Sequence, residues 1–119
     1  MKQRYFNLAK RLAKKSNHSQ HQIGCVIVKK KRIISVGWNE IKTSPKSPNP
    51  YYSRHSEFNA VLGVPVADLR GSEVYVYRET RDGKLAMSRP CSDCLKMLKS
   101  LDIDIIHYSS YNSYRSEKI

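Results

Sequence analysis

Residues 88–96 read SRPCSDCLK, two cysteines three positions apart behind a proline, at the head of a segment whose apolar residues recur with helical spacing. Residues i and i+3 are neighbours on a helix surface, so Cys91 and Cys94 direct both sulfurs at one point above the first turn. The unpaired backbone N–H groups there favour thiolate over thiol, and thiolate is the form that ligates zinc. Pro90 suits such a start, because its missing N–H is not needed and its φ is already fixed. Two thiolates are half of a metal site, since a catalytic zinc takes three protein ligands and keeps a fourth position for water. The other half has to come from elsewhere in the chain.

The 119 residues, 39% hydrophobic with a mean hydropathy of −0.61, fit a single domain over residues 1–119 with one core. No apolar run approaches the roughly 20 residues of a membrane helix, and the N-terminal segment lacks the apolar core of a signal peptide. A cytoplasmic protein with no membrane partner is expected. Three cysteines do not make a disulfide framework, and CxxC without a secretion signal points to metal or redox chemistry in a reducing compartment. The net charge of +12 lies wholly in residues 1–54, with 13 Lys+Arg against the single acid Glu40, while residues 55–119 hold nine of each sign. Such a one-sided excess suits an anionic partner, a nucleotide phosphate or a polynucleotide, although a solvated helix face and a lysine-rich turn would give the same count.

Residues 2–15 place Tyr5, Leu8, Ala9 and Leu12 at helical spacing among lysines and arginines, an amphipathic helix with a basic outer face. Residues 23–28 and 33–38 are short apolar runs rich in β-branched residues, and residues 29–32 turn one into the other as a hairpin. Pro45, Pro48 and Pro50 make residues 40–54 a loop. A second helix is expected from His55, with Phe58, Ala60, Val61 and Leu62 as its apolar set, up to Gly63 and Pro65. Residues 73–78 form a third strand, Asp82-Gly83 marks a turn, residues 91–101 a third helix and residues 103–108 a fourth strand. The last eleven residues fit a short helix or an edge strand. This order implies one sheet covered by helices.

Four histidines compete for the third ligand position. His18 and His21 fall in a polar linker and are expected to be exposed; His107 falls in a strand, as a core or edge residue. His55 differs because Glu57 follows two positions later and both open a helix. HxE at one helix start and PCxxC at the next, with a strand between, is a joint pattern that chance rarely produces.

On these residues the chain resembles the zinc-dependent cytidine and deoxycytidylate deaminases and their polynucleotide-acting relatives, whose signature is H-x-E…P-C-x-x-C. His55-Ser-Glu57 and Pro90-Cys91-Ser-Asp-Cys94 match it position by position. The resemblance implies a three-layer α/β/α fold with a central mixed sheet of four or five strands flanked by helices. It implies one zinc ion on His55, Cys91 and Cys94, with Glu57 as the catalytic residue. Gly24-Cys25 stands where the family commonly has Gly-Ala on its first strand, with its backbone along the base pocket, although the Cys25 side chain itself reads as a small apolar filler and not a ligand. Asn39 stands where the family has a sugar-contacting asparagine. Asn59, two residues after the glutamate, is similar to the deoxycytidylate branch. Ser53, Arg54, Arg89 and Tyr108 complete the expected substrate contacts.

The activity so implied is hydrolytic deamination of a cytosine nucleoside or nucleotide, dCMP to dUMP foremost, with Glu57 moving protons from water to the ring nitrogen and the departing ammonia. Two alternatives share the site. One is deamination of cytosine in single-stranded DNA or RNA, or of adenosine in tRNA, using the basic N-terminal half with Tyr51 and Tyr52 as stacking surfaces. The other is a non-catalytic, zinc-stabilised nucleic-acid-binding module. The family further implies a homo-oligomer. Residues 80–89, with Arg81, Lys84 and Arg89, intervene between the third strand and the cysteines; they read as a hairpin-like connection or as a loop over the pocket mouth that handles a phosphate. Little chain follows the fourth strand, which leaves scant room for a fifth.

Overall fold

In the computed structural model, residues 2–17, 21–43 and 51–119 are described, with the backbone alone for 41–43 and 51–54. After helix α1 (Gln3–Ala13), strands β1 (His21–Lys29) and β2 (Arg32–Trp38) form the expected hairpin. Lys30 and Lys31 both take positive φ, +50° and +64°, the backbone that a two-residue hairpin turn requires. The chain continues through β3 (Glu40–Thr43), β4 (Tyr51–Arg54), α2 (Ser56–Val61), α3 (Val66–Leu69), β5 (Glu73–Thr80), β6 (Leu85–Ala86), α4 (Ser92–Ser100), β7 (Ile105–Ser109) and β8 (Tyr114–Lys118).

The main sheet runs β2-β1-β5-β7-β8, with β6 paired to β5 beyond the end of β7. Only β5 and β7 are parallel neighbours, joined by the crossover helix α4; the other pairs are antiparallel. Alternation along the strands separates two cores. Cys25, Ile27, Val74, Val76, Ile106 and Tyr108 face Ala60 of α2 and Leu98 of α4, while Val26, Val28, Tyr75 and Tyr77 face Tyr5, Phe6, Ala9, Leu12 and Ala13 of α1. The expected three layers with a mixed central sheet are therefore present.

Several expectations need correction. Residues 40–43 and 51–54 are not loop: they pair antiparallel as a small separate sheet, and Pro45, Pro48 and Pro50 lie outside the described residues. On α2 it is Ala60 that is buried, whereas Phe58 and Leu62 are 42% and 49% exposed. Phe6, absent from the expected apolar face of α1, is fully buried against Tyr75 and Tyr114. The last residues form the edge strand of the two alternatives, β8 pairing with β7 along its whole length, so that with β6 the main sheet has six strands and not the expected four or five. His21 is not in a linker. Pairing of β1 with β5 extends to the His21–Thr80 register, so His21 opens the strand and its ring meets the Arg78 guanidinium. His18 lies outside the described residues.

His107 is a core residue as expected. It is 3% exposed, stacked on Tyr75 and bonded to Glu73 Oε1 at 2.8 Å and Ser116 Oγ at 2.6 Å. Burial pushes its pKa down, with Glu73 opposing.

Candidate active site

The strand directions bring the two motifs together. β2 is antiparallel to β1 and β1 to β5, so β2 and β5 point the same way and end on the same side of the sheet. His55 follows β2 through the small sheet, and Cys91 follows β5 through the β6 hairpin. Each is the extended N-cap residue of its helix, His55 with φ −69° and ψ 150°, Cys91 with φ −64° and ψ 168°. Gly37 lets α2 lie close on β2, since a Cβ there would come within 2.6 Å of both Ser56 O and Ala60 N.

His55, Cys91 and Cys94 offer ligand atoms that all lie within 4.8 Å of one another. The Nδ1 atom of His55 is 3.2 Å from Cys94 Sγ and 3.6 Å from Cys91 Sγ. A tetrahedral zinc with ordinary Zn–N and Zn–S bonds requires an N···S edge of roughly 3.6 Å, so the donor set fits that ion. The Cys91 sulfur also accepts the Cys94 backbone N–H at 3.5 Å, the dipole-end placement expected for a thiolate. Burial, then the Glu57 carboxylate, pushes the Cys94 thiol well up.

Glu57 is 5% exposed, and its Oε1 accepts the Ser56 hydroxyl at 2.5 Å. A cleft of about 170 Å³ is lined by Ile23, His55, Glu57, Arg78, Met87, Ser88, Arg89 and Cys91. It therefore brings together the Glu57 carboxylate, two of the three donors and two arginines. Larger hollows at the β1–β2 turn and beside α1 contain neither motif.

The expected substrate residues are placed unevenly. Arg89 lines the cleft but is held by Glu117, Nε to Oε2 at 2.7 Å. Tyr108, buried beneath, donates to the same oxygen at 2.6 Å. Asn39 uses its side chain on β1, accepting Ile23 N–H at 3.0 Å and donating to His21 O at 2.9 Å. Asn59 donates to Trp38 O at 2.6 Å and is not among the residues of the cleft. Gly24 faces the opposite layer, where a Cβ would collide with Ala9 O and lie 2.8 Å from Ala13 N. Cys25 is fully buried in the core behind the site, its thiol pushed up by burial, then by Glu57 and Cys94. Ser53 and Arg54 are in β4, with side chains outside the description.

Residues 80–89 form a hairpin-like connection, with Gly83 at φ +86° in its turn, and Met87, Ser88 and Arg89 at its end line the cleft. Two serines not singled out in the sequence fix its return leg. Ser88 Oγ donates to Val76 O at 2.7 Å and accepts Ser109 N–H at 2.7 Å, while Ser109 Oγ donates to Ala86 O at 2.7 Å. These bonds tie the segment before Pro90 to β5 and β7, and so set where Cys91 begins its helix. Ile23, Arg78 and Met87 also line the cleft, and of these Arg78 is the charged residue that sequence reading missed. Its strand position was evident, but the extra β1 pairing that carries the cleft to it was not.

The family model for the cytidine and deoxycytidylate deaminase zinc-binding region matches residues 1–110. A probable deoxycytidylate deaminase of Caenorhabditis elegans is 30% identical over 109 residues, covering 81% of this chain and 50% of that protein. The chain thus spans half the length of the curated relative it matches. Among solved structures, the dCMP deaminase of cyanophage S-TIM5 in its apo form superposes with a TM-score of 0.66 at 26% identity, over 91% of this chain and 84% of that one. A cytidine deaminase from Burkholderia pseudomallei reaches 0.72 over 99% of this chain and 92% of that one, at 15% identity a likeness of fold alone. With the signature residues gathered at one cleft and the family match running through nearly the whole chain, the protein belongs to the cytidine and deoxycytidylate deaminase zinc-binding family.

Proposed function

We propose that the protein hydrolyses the exocyclic amine of a cytosine nucleotide, releasing ammonia, with dCMP as the favoured substrate. The observation that carries this reading is the meeting of the His55–Cys91–Cys94 donor set with buried Glu57 at one cleft. Zinc, when bound there, supplies the Lewis-acid charge that makes water a nucleophile near neutral pH. Glu57 does the proton work: its carboxylate takes one proton from the water and delivers it to the ring nitrogen as the water oxygen bonds to C4, then takes the proton left on that oxygen and passes it to the amine, so that the C4–N bond breaks and ammonia leaves. The Ser56 hydroxyl on Oε1 holds the carboxylate's orientation. Support for dCMP comes from the worm relative, a probable deoxycytidylate deaminase, and from the phage enzyme, whose structure has also been solved in complex with dCMP and dUMP.

Among the described residues, the basic side chains of the N-terminal half do not favour a polynucleotide. Lys10, Arg11 and Lys14 belong to α1 or its end, on the face of the sheet opposite α2 and α4; Lys29–Arg32 turn at the end of β1 remote from Ile23 and the cleft. Ammonia release from zinc-loaded protein given cytidine, deoxycytidine, their monophosphates, single-stranded oligonucleotides and tRNA tests the assignment. Turnover of dCMP with little salt dependence is expected. Turnover confined to a polynucleotide, with a salt slope near 0.7 log units for each phosphate contact, would replace it.

A further inference from the structure

Val74, Val76 and Arg78 alternate onto the sheet face that carries α2 and α4. The two valines are fully buried in that core. Arg78 is the next position along, where the core gives way to the cleft, and it lines that cleft with His55, Glu57 and Cys91.

The two arginines of the cleft are not equivalent. Arg89 is already neutralised by Glu117, with Nε to Oε2 at 2.7 Å and Nη2 to Oε1 at 3.3 Å. Arg78 forms no ion pair among the described residues. Its Nη1 donates to Met87 O at 3.2 Å, its Nη2 meets His21 Nδ1, and its Nε is buried with no hydrogen-bond partner. A guanidinium has five N–H donors and does not give up its charge, and a buried donor left unsatisfied is costly. The arrangement is one that a ligand oxygen completes. Nε–H with a neighbouring terminal N–H forms the fork that fits two oxygens of a phosphate. The lysines and arginines of α1, on the other side of the sheet, do not reach this cleft.

We propose that Arg78 receives the phosphate of the substrate and is the residue that selects a nucleoside monophosphate over the nucleoside. This rests on the deaminase reading of the cleft.

The test measures binding of the product pair, dUMP and deoxyuridine, to the zinc-loaded full chain by titration calorimetry, where no turnover interferes. The wild type is expected to bind dUMP about 10- to 100-fold more tightly than deoxyuridine, the range of a charge-assisted bidentate contact. Arg78→Gln should bring that ratio to about one while deoxyuridine affinity holds within about twofold. Arg78→Lys, which keeps the charge and loses the fork, should fall between. Should Arg78→Gln fail to fold by circular dichroism, Arg78→Lys decides alone: an unchanged ratio overturns the proposal. So does a wild type with no preference for dUMP, or a parallel loss of both ligands in Arg78→Gln. Ammonia release, measured alongside, separates this from the activity. Deamination of deoxycytidine without any dUMP preference removes the anchor and keeps the enzyme; Arg78-dependent dUMP binding without release from any cytosine compound does the reverse.

Discussion

The hydroxyl of Tyr108 donates to Oε2 of Glu117 over 2.6 Å, and Arg89 Nε approaches the same oxygen at 2.7 Å. The edge strand β8 is thereby fastened to the rim of the cleft. Arg89 first, then Tyr108, holds the Glu117 carboxyl below the usual carboxylate range. A carboxyl with a depressed folded pKa contributes stability above its unfolded value and loses it as pH falls through the folded one. Glu117→Gln should therefore melt below the wild type at about pH 7, and the two should converge at about pH 2. The difference will be small, because the Arg89 and Glu117 side chains are 44% and 37% exposed. Thermal melts at the two pH values check this; an equal gap at both removes the linkage.

Glu57 is expected to be needed for turnover and not for the fold. Glu57→Ala removes the proton carrier yet leaves His55, Cys91 and Cys94 in place, so turnover should fall by about 10² to 10⁴ while zinc content stays at one per chain. Steady-state ammonia release and metal analysis on the same preparation measure both. Wild-type rates in this variant would sink the assignment.

The three donors should behave as a unit. His55→Ala, Cys91→Ser and Cys94→Ser each leave two ligands, too few for a structural or catalytic zinc. Each should lower bound zinc well below one per chain, and Cys25→Ala should not, because Cys25 lies in the core behind the site and outside the donor cluster. Mass spectrometry of the metal content after gel filtration discriminates; a Cys25→Ala variant that also loses zinc would bring that thiol into the ligand set.

The motifs were legible because their chemistry is local: His55 with Glu57, and Pro90 with the two cysteines, each sit at a helix start that the neighbouring residues announce. Alternation puts Val74 and Val76 on one face of the sheet and Tyr75 and Tyr77 on the other, giving two cores where the sequence led us to expect one. What escaped was set by tertiary contact. Pro45, Pro48 and Pro50 masked the pairing of residues 40–43 with 51–54, a register that only the partner strand defines. β8 has the composition YRSEK, which carries no apolar alternation and is a strand only because β7 offers it an edge. Asn39 and Asn59 each donate to a backbone carbonyl of β1 or β2, partners that only the folded strands supply.

Gly24 yields the last prediction. Its backbone is the expected pocket element, while its missing side chain makes room for α1. A Cβ would collide with Ala9 O, and it would lie 2.8 Å from Ala13 N and 2.9 Å from Ala9 C, all backbone atoms of a helix that cannot yield singly. Gly24→Ala should push α1 off the sheet and loosen Phe6, Ala9 and Ala13, which are fully buried there. Overpacking of this kind costs about 3 kcal/mol or more. In a chain of this size that is a fall in Tm of about 10 °C. The effect belongs to stability and not to recognition: below the new Tm the variant should keep its zinc and its preference between dUMP and deoxyuridine. Calorimetric melts give the first quantity and ligand titration the second. A variant that melts with the wild type but no longer binds either ligand would return Gly24 to the pocket.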